Sequence, residues 1–356
     1  MFVGIDVHKK RSQICIMDES GAVVYETRVP TTRADLADVL RGYAGSKVLI
    51  EASTPSEWVA RHLELVGLEV VVADPNFAPM YATRSKKVKT DKRDARCLAD
   101  ACRLGAYRPA HRLSDEQREV RLQADVRGTL IEMRTKVLNR LSAALLGQGY
   151  RVKSGAAETY GMRFSQAEIP EELREQLKPL VGMLEPLNAQ IEEMDKRLSE
   201  RAKRSEEAQR LEEITAIGPL TSLVFLAALD GAQRFSSSRQ VMSYMGLVPR
   251  EYSSGEKQLR GHITKAGNRK CRSLLVQAAH RILRLRKPET EELCEWAEKI
   301  VKRRGKRIAA VALARRLCGI MWAMLRDGSR YCPEEARRKR RDKLRQQPPN
   351  ETAQAA

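Results

Sequence analysis

The sequence predicts a mixed α/β domain at the N-terminus and a mostly helical remainder, and three observations carry this. Residues 2–30 read as three strands in succession, residues 33–73 as helices and strands in alternation, and the chain beyond Ser114 as long apolar stripes at helical spacing. At 356 residues the chain has room for two or more domains, each with its own core.

The strand-like runs are Phe2 to Val7, Ser12 to Met17 and Val23 to Val29, joined by short polar turns such as Asp18-Glu19-Ser20-Gly21. A helix is expected over Arg33 to Tyr43, a buried strand over Lys47 to Ile50, a helix over Ser56 to Val66, and a strand over Leu68 to Ala73 closed by Asp74-Pro75-Asn76. Three hairpin strands before the first helix is the order of a ribonuclease H-like sheet, whereas other α/β folds begin with a βαβ unit.

Asp6 ends the apolar run Phe2-Val3-Gly4-Ile5, and Glu51 ends the next buried strand, so both carboxylates stand where a strand leaves the core. Asp91 and Asp94, three residues apart in Lys89-Thr90-Asp91-Lys92-Arg93-Asp94-Ala95, share a helical face. Singly, each acid has an ordinary role: a strand-end turn, or a helix-dipole partner behind a Thr N-cap. Four carboxylates converging on one pocket would repel, and such a cluster is stable chiefly when divalent cations neutralise it. Two Mg²⁺ ions there would clamp a phosphodiester, one activating the attacking oxygen and one stabilising the leaving oxygen. Asp74 is read as turn chemistry before Pro75, and Asp100 as a solvated helix residue.

A net charge of +19 calls for a partner of dense negative charge, nucleic acid first, because Lys and Arg release counterions from a phosphate backbone. Aromatic residues make up only 5% of the chain, so contacts should fall on phosphates more than on stacked bases. The seven cysteines contain no CxxC pair, which argues against structural zinc or a disulfide framework and for buried, reduced thiols. With no signal-like opening and no apolar run near the ~18 residues that cross a bilayer, a cytosolic protein without membrane contact is expected.

Ser114-Asp115-Glu116-Gln117 is a capping box that starts a long helix, striped by Val126, Leu130, Met133, Val137, Leu141 and Leu145. Leu173, Leu177, Leu180, Leu184, Leu187, Ile191, Met194 and Leu198 form an unbroken heptad seam, with Pro179 and Pro186 expected to kink or delay its N-terminal part. A hairpin between the two helices and a coiled-coil dimerisation arm both fit this seam. Ile214 to Thr221 reads as a helix-hairpin-helix turn, in which Gly218 makes the reversal and a helix starting at Pro219 offers free N–H groups to a phosphate. An ordinary turn between helices fits equally.

Residues 250–269 read as a polar, Gly-punctuated loop with adjacent hydroxyls, Ser253 and Ser254, and the cations Lys257, Arg260, Lys265 and Arg269, followed by a helix from about Asn268. Composition alone makes Ser-Ser-Gly turn chemistry in a phosphate-gripping loop. A serine nucleophile needs an activating base or metal, and no base is identified. Lys302-Arg303-Arg304-Gly305-Lys306-Arg307 and Arg337 to Arg341 are basic runs suited to a nucleic-acid backbone, and the last residues read as a disordered tail. The expected domains are 1–112, a helical coiled-coil region 113–205, a mostly α-helical domain 206–330 and a basic tail 331–356.

The motifs Gly4-Ile5-Asp6-Val7-His8-Lys9, Ile50-Glu51-Ala52-Ser53 and Lys89-Thr90-Asp91 with Asp94-Ala95, in this order, resemble the N-terminal RuvC-like domain of IS110-family transposases. The similarity extends to the C-terminal transposase domain of that family and fades after about Leu325. It implies that Asp6, Glu51, Asp91 and Asp94 form a D-E-D-D Mg²⁺ site. It also implies that Ser254, the serine directly before glycine in a Tyr-x-Ser-Gly pattern, is the nucleophile, with Ser253 at the variable position. The implied activity is that of a DNA recombinase working through a covalent 5′-phosphoserine and guided by a structured RNA that pairs with donor and target DNA. The implied assembly is a homodimer that forms a tetramer, the metal site of one protomer meeting the serine of another, and the heptad seam is the expected contact. The implied setting is a prokaryotic cytoplasm. On the residues alone, two other readings stay open: a RuvC-like endonuclease that uses water, and a non-catalytic nucleic-acid-binding protein whose acids are caps.

Overall fold

Aliphatic and β-branched residues dominate Phe2–Val7 (β1), Arg11–Met17 (β2) and Val23–Pro30 (β3), which pair as an antiparallel meander. The structure, a computed structural model, describes residues 1–82, 90–252 and 260–333 and comprises two units, Met1–Arg112 and Leu113 onward. Arg33–Leu40 (α1), whose N-cap Thr32 accepts from the Asp35 N–H, returns the chain to Lys47–Glu51 (β4), parallel to β1. Ser56–Leu65 (α2) then leads to Glu69–Ala73 (β5), parallel to β4. The order β3-β2-β1-β4-β5 makes β1 the central strand and β2 the one strand that runs against the rest, consistent with the ribonuclease H-like order.

Alternation along β1 sends Val3, Ile5 and Val7 to a core shared with Leu36 and Leu40 of α1 and Val59 and Leu63 of α2. Phe2, Gly4 and Asp6 therefore share the opposite face, as do Leu49 and Glu51 of β4. Asp91–Leu104 (α3) covers that face, starting behind the N-cap Thr90 and ending at Gly105 in the left-handed region. Its Ala95 and Ala99 sit directly on Gly4, where a Cβ would lie 2.2 Å from the Ala95 carbonyl oxygen and from the Ala99 nitrogen. Only glycine admits backbone at that range.

The second unit opens with Asp115–Gly147 (α4), whose N-cap Ser114 accepts from the Gln117 N–H. The expected capping box is only half formed. Asp230 takes the Ser114 N–H at 2.9 Å and its hydroxyl at 2.7 Å, in the role reserved for Gln117. Tyr160–Ser165 (α5), Glu171–Gly182 (α6) and Leu184–Lys203 (α7) follow. The heptad seam is filled from within the chain: Leu177, Leu184 and Leu187 are buried with Val137, Leu141 and Leu145 of α4. Here the helix hairpin prevails over a seam left open for a second protomer. The seam also breaks at Met183, because Pro186 cannot donate to the Gly182 carbonyl, while Pro179 is accommodated inside α6.

Glu206–Glu212 (α8) and Pro219–Leu229 (α9) flank the expected hairpin turn. Its left-handed residue is Ala216, at φ 80°, whereas Gly218 is extended, at φ −119° and ψ −179°, as the N-cap of α9. The reversal is thus not made by the glycine. Ser238–Tyr244 (α10), Pro249–Glu251 (β6), Arg260–Ile263 (β7), Arg269–Leu285 (α11), Glu291–Arg304 (α12) and Lys306–Asp327 (α13) complete the unit. Contrary to the expectation that no apolar run approaches a membrane span, α13 has the length and composition of one. Its Leu313, Leu317, Met321 and Trp322 are buried in the core of this unit, which accounts for its apolarity. Six of the seven cysteines are buried thiols and Cys332 is exposed.

Gly4→Ala should push α3 off the sheet and destabilise the protein by about 1–3 kcal/mol or more. Urea unfolding of the full chain measures the loss, and amide hydrogen exchange should place it in residues 2–7 and 91–104.

Candidate metal centre and nucleic-acid interface

Strand ends and one helix start bring three of the four predicted acids to a single cavity. Asp6, Glu51 and Asp94 line it with Val7, His8, Ser53, Pro75 and Tyr81, and its volume is about 390 Å³. Asp91 is one turn from Asp94 on α3 and meets the same cluster through His8. The Asp6 carboxyl is only 15% exposed. Burial pushes its pKa above the ordinary carboxylate value, and the charges of Asp94, Asp91 and Glu51 push it the same way, against the pull of His8. The other three acids therefore all act on Asp6 electrostatically.

Cations hold the helix that brings two of them. Glu26 of β3 takes a bidentate contact from Arg96, with Arg96 Nη2 at 2.7 Å, and an ion pair from Lys92 at 3.0 Å. Hydrogen bonding to Arg96 is the main reason the Glu26 carboxyl is held down at about 2. Lys92 and Arg96 thus belong to the face of α3 that grips β3, while Asp91 and Asp94 belong to the face that closes on the acids. Asp91 is further approached by Arg28 of β3 at 3.3 Å. The two acids set aside as structural are ion-paired: Asp74 with Arg108 in its turn, and Asp100 with Arg103 at 2.7 Å. Asp100 is half-buried in that pair and not solvated as expected.

A donor set of four carboxylates, repelling one another around a half-buried Asp6, fits a divalent cation. Three ligand atoms, one each from Asp6, His8 and Asp91, already lie within 4.8 Å of one another. His8 stood in the quoted motif without a role, and Arg28 was not singled out. Arg28 reaches Asp91 from another strand, which no local pattern marks, whereas His8 stands two residues beyond Asp6 and its contact with Asp91 depends on where α3 packs.

The expected loop after Pro249 is flanked by a short hairpin, β6 paired with β7, that its composition did not disclose. Ser253, Ser254 and Lys257 lie outside the described residues, as do the side chain of Arg260 and the run Arg337 to Arg341. The base of the hairpin is clasped backbone to backbone. Gly246 and Gly267 are both left-handed, and a Cβ on either would collide with the opposing carbonyl, of Ala266 or of Tyr244. Arg272, 9% exposed, donates from Nη1 to the Met245 carbonyl at 3.0 Å and to the Ala266 carbonyl at 2.7 Å. A charged residue beside Cys271 on the apolar face of α11 was the sequence signal for this role. Lys265 and Arg269 are exposed beside the hairpin, and Lys302, Arg303 and Arg304 are exposed in the last turn of α12.

An acid cluster on the central strands of a mixed sheet, followed by a helical unit, fits the class of DEDD transposases, and similarity to known proteins establishes the family. Residues 3–148 match the family model of the DEDD transposases of IS110, and residues 208–295 match the one described as Transposase IS116/IS110/IS902 family. The transposase for insertion sequence element IS1111A of Coxiella burnetii is 30% identical over 91% of this chain and 89% of its own length. A probable family 20 transposase of Pseudomonas aeruginosa is 30% identical over 93% and 98%, and the transposase for insertion sequence element IS1328 of Yersinia enterocolitica 29% identical over 92% and 97%. The chain belongs to the IS110 family of transposases.

Two outcomes are expected from this geometry. The stability contributed by Glu26 is fully present above its ordinary carboxylate value of 4.5 and is lost as pH falls through about 2, because the folded state holds the carboxyl ionised. Thermal melts between pH 6 and pH 2 should therefore show wild type losing more stability than Glu26→Gln. Arg272→Met should take the donor from the buried Met245 carbonyl and the part-buried Ala266 carbonyl and cost about 1–3 kcal/mol. Hydrogen exchange across residues 245–268 should rise with it.

Proposed function

We propose that this transposase cuts and rejoins DNA strands through Ser254, with Asp6, Glu51, Asp91 and Asp94 holding Mg²⁺ ions against the phosphodiester. The gathering of Asp6, Glu51 and Asp94 at one cavity, with the charge of Asp91 also acting on Asp6, carries this reading, because the repulsion at Asp6 needs a cation to relieve it. Bound divalent ions supply charge neutralisation at the phosphate in the transition state.

The chain's own residues do the rest. The Ser254 hydroxyl oxygen attacks phosphorus as its proton passes to a base, the bond from phosphorus to the 3′ oxygen breaks, that oxygen takes up a proton from solvent, and a 5′-phosphoserine and a 3′-hydroxyl result. Attack of another strand's 3′-hydroxyl on that phosphoserine restores the serine and joins the strands. Bond energy is kept in the ester, so no nucleotide cofactor is required. The clasp of Gly246, Gly267 and Arg272 fixes the two strands that lead to Ser254. The cations Lys265, Arg269, Lys302, Arg303 and Arg304, with Lys257 and Arg260, grip phosphates and leave sequence choice to a guide RNA that pairs with donor and target DNA. The reading carries with it a homodimer that assembles into a tetramer, in which one copy's acids act with another copy's serine. With the seam of α6 and α7 filled by α4, the protomer contact falls on other surfaces or on an exchanged hairpin.

Trapping on a nicked DNA substrate tests this. A protease-resistant protein–DNA adduct should form with wild type and Ser253→Ala and be absent from Ser254→Ala. Glu51→Gln and Asp91→Asn should each slow strand exchange by roughly 10²-fold or more. An adduct that persists in Ser254→Ala overturns the nucleophile assignment, and cleavage without any adduct means that water attacks.

A further inference from the structure

One side chain in contact with the acid cluster is not an acid. His8 sits in the turn after β1 with Nε2 3.2 Å from Asp6 Oδ2 and 3.4 Å from Asp91 Oδ1, and it lines the same cavity as Glu51 and Asp94. It is the only link that the described geometry gives between the strand acid and the first helix acid. Its backbone is held in place as well. Thr31 Oγ1 donates to the His8 carbonyl at 2.8 Å and shares a 2.8 Å hydrogen bond with Ser12, while the Thr31 N–H donates to the Lys10 carbonyl at 3.0 Å. The turn is therefore latched to the start of the loop after β3, which fixes the backbone from which the half-exposed imidazole reaches the two acids.

Donors bound to one octahedral ion at about 2.0–2.1 Å stand about 3 Å apart along an octahedral edge. The separations of 3.2 and 3.4 Å from His8 Nε2 to the two carboxylates are close to that edge. An imidazole nitrogen in such a place changes which ion the site prefers. Mg²⁺ keeps oxygen ligands and water, whereas transition-metal dications accept nitrogen readily. We infer that His8 is a ligand of the divalent site formed by Asp6 and Asp91 and biases it towards Mn²⁺, or a later transition-metal dication, over Mg²⁺. The inference rests on the reading of the acid cluster as a divalent-cation site.

The test uses the full-length protein without nucleic acid, and Mn²⁺ and Mg²⁺ alone as probes. Pulsed electron paramagnetic resonance of bound Mn²⁺ should show ¹⁴N modulation in wild type and none in His8→Ala or His8→Gln. Calorimetry should show His8→Ala losing about tenfold in Mn²⁺ affinity, the scale of a lost metal-orienting contact. The same change should move Mg²⁺ affinity by about threefold at most. Circular dichroism of the variants confirms that the fold is kept. If Mn²⁺ binds in a manner that depends on Glu51 but without ¹⁴N modulation, or if the Mn²⁺ to Mg²⁺ preference is unchanged in both His8 variants, the assignment to His8 is overturned and the acid site stands. If neither ion binds, or Glu51→Gln binds both as wild type does, the divalent-site reading is overturned and this inference with it.

Discussion

One contact with no side chain in it governs the N-terminal unit. Helix α3 can bring Asp91 and Asp94 to the level of Asp6 only because Gly4 lets the carbonyl of Ala95 and the amide of Ala99 rest on the central strand. A helix packed on a sheet through ordinary side chains stands farther off, and its first turn would not reach the end of β1. Ala95, Ala99 and Gly4 are a matched set of small residues, and the acids lie where that close approach carries them.

Electrostatics then divides α3 between two tasks. Lys92 and Arg96 bind Glu26 tightly enough to hold it near pH 2, which anchors the helix to β3. Asp91 and Asp94 turn to the acid cluster, where Asp6 is pushed the other way by burial and by its neighbours' charge. Ion pairs elsewhere in the unit, such as Asp74 with Arg108 and Asp100 with Arg103, neutralise their acids. The contrast separates two kinds of carboxylate: Asp74, Asp100 and Glu26 are each matched by a guanidinium group, whereas Asp6 meets other acids and an imidazole, and Asp91 shares that imidazole with an approach from Arg28.

Much of this was legible from local pattern. Short apolar and β-branched runs between polar turns in residues 2–30 and 47–73 located the five strands of the sheet, and the end of an apolar run located Asp6 and Glu51. What escaped depends on partners distant in sequence. Asp230 replaces Gln117 at the cap of α4 from 116 residues away, and α4 fills the seam of α6 and α7. The β6–β7 hairpin is too short to show a period. The left-handed turn residue at Ala216 defeats the usual inference from glycine, since Gly218 is nearby and extended. Arg272 could have been noticed as a cation on an apolar helix face, whereas the reach of His8 depends on a latch through Thr31.

The filled seam has a topological meaning. Leu177, Leu184 and Leu187 meet Val137, Leu141 and Leu145 through apolar contacts that carry no mark of which chain they belong to. The chain between α4 and α6 includes only the six-residue helix α5, whose Tyr160 and Phe164 are buried with the same residues. Exchanging α6 and α7 between two copies would keep every one of those contacts and add no exposed apolar surface. For such an arm, concentration and hinge strain decide between a closed hairpin and an interlocked pair, and side-chain chemistry is indifferent to the choice.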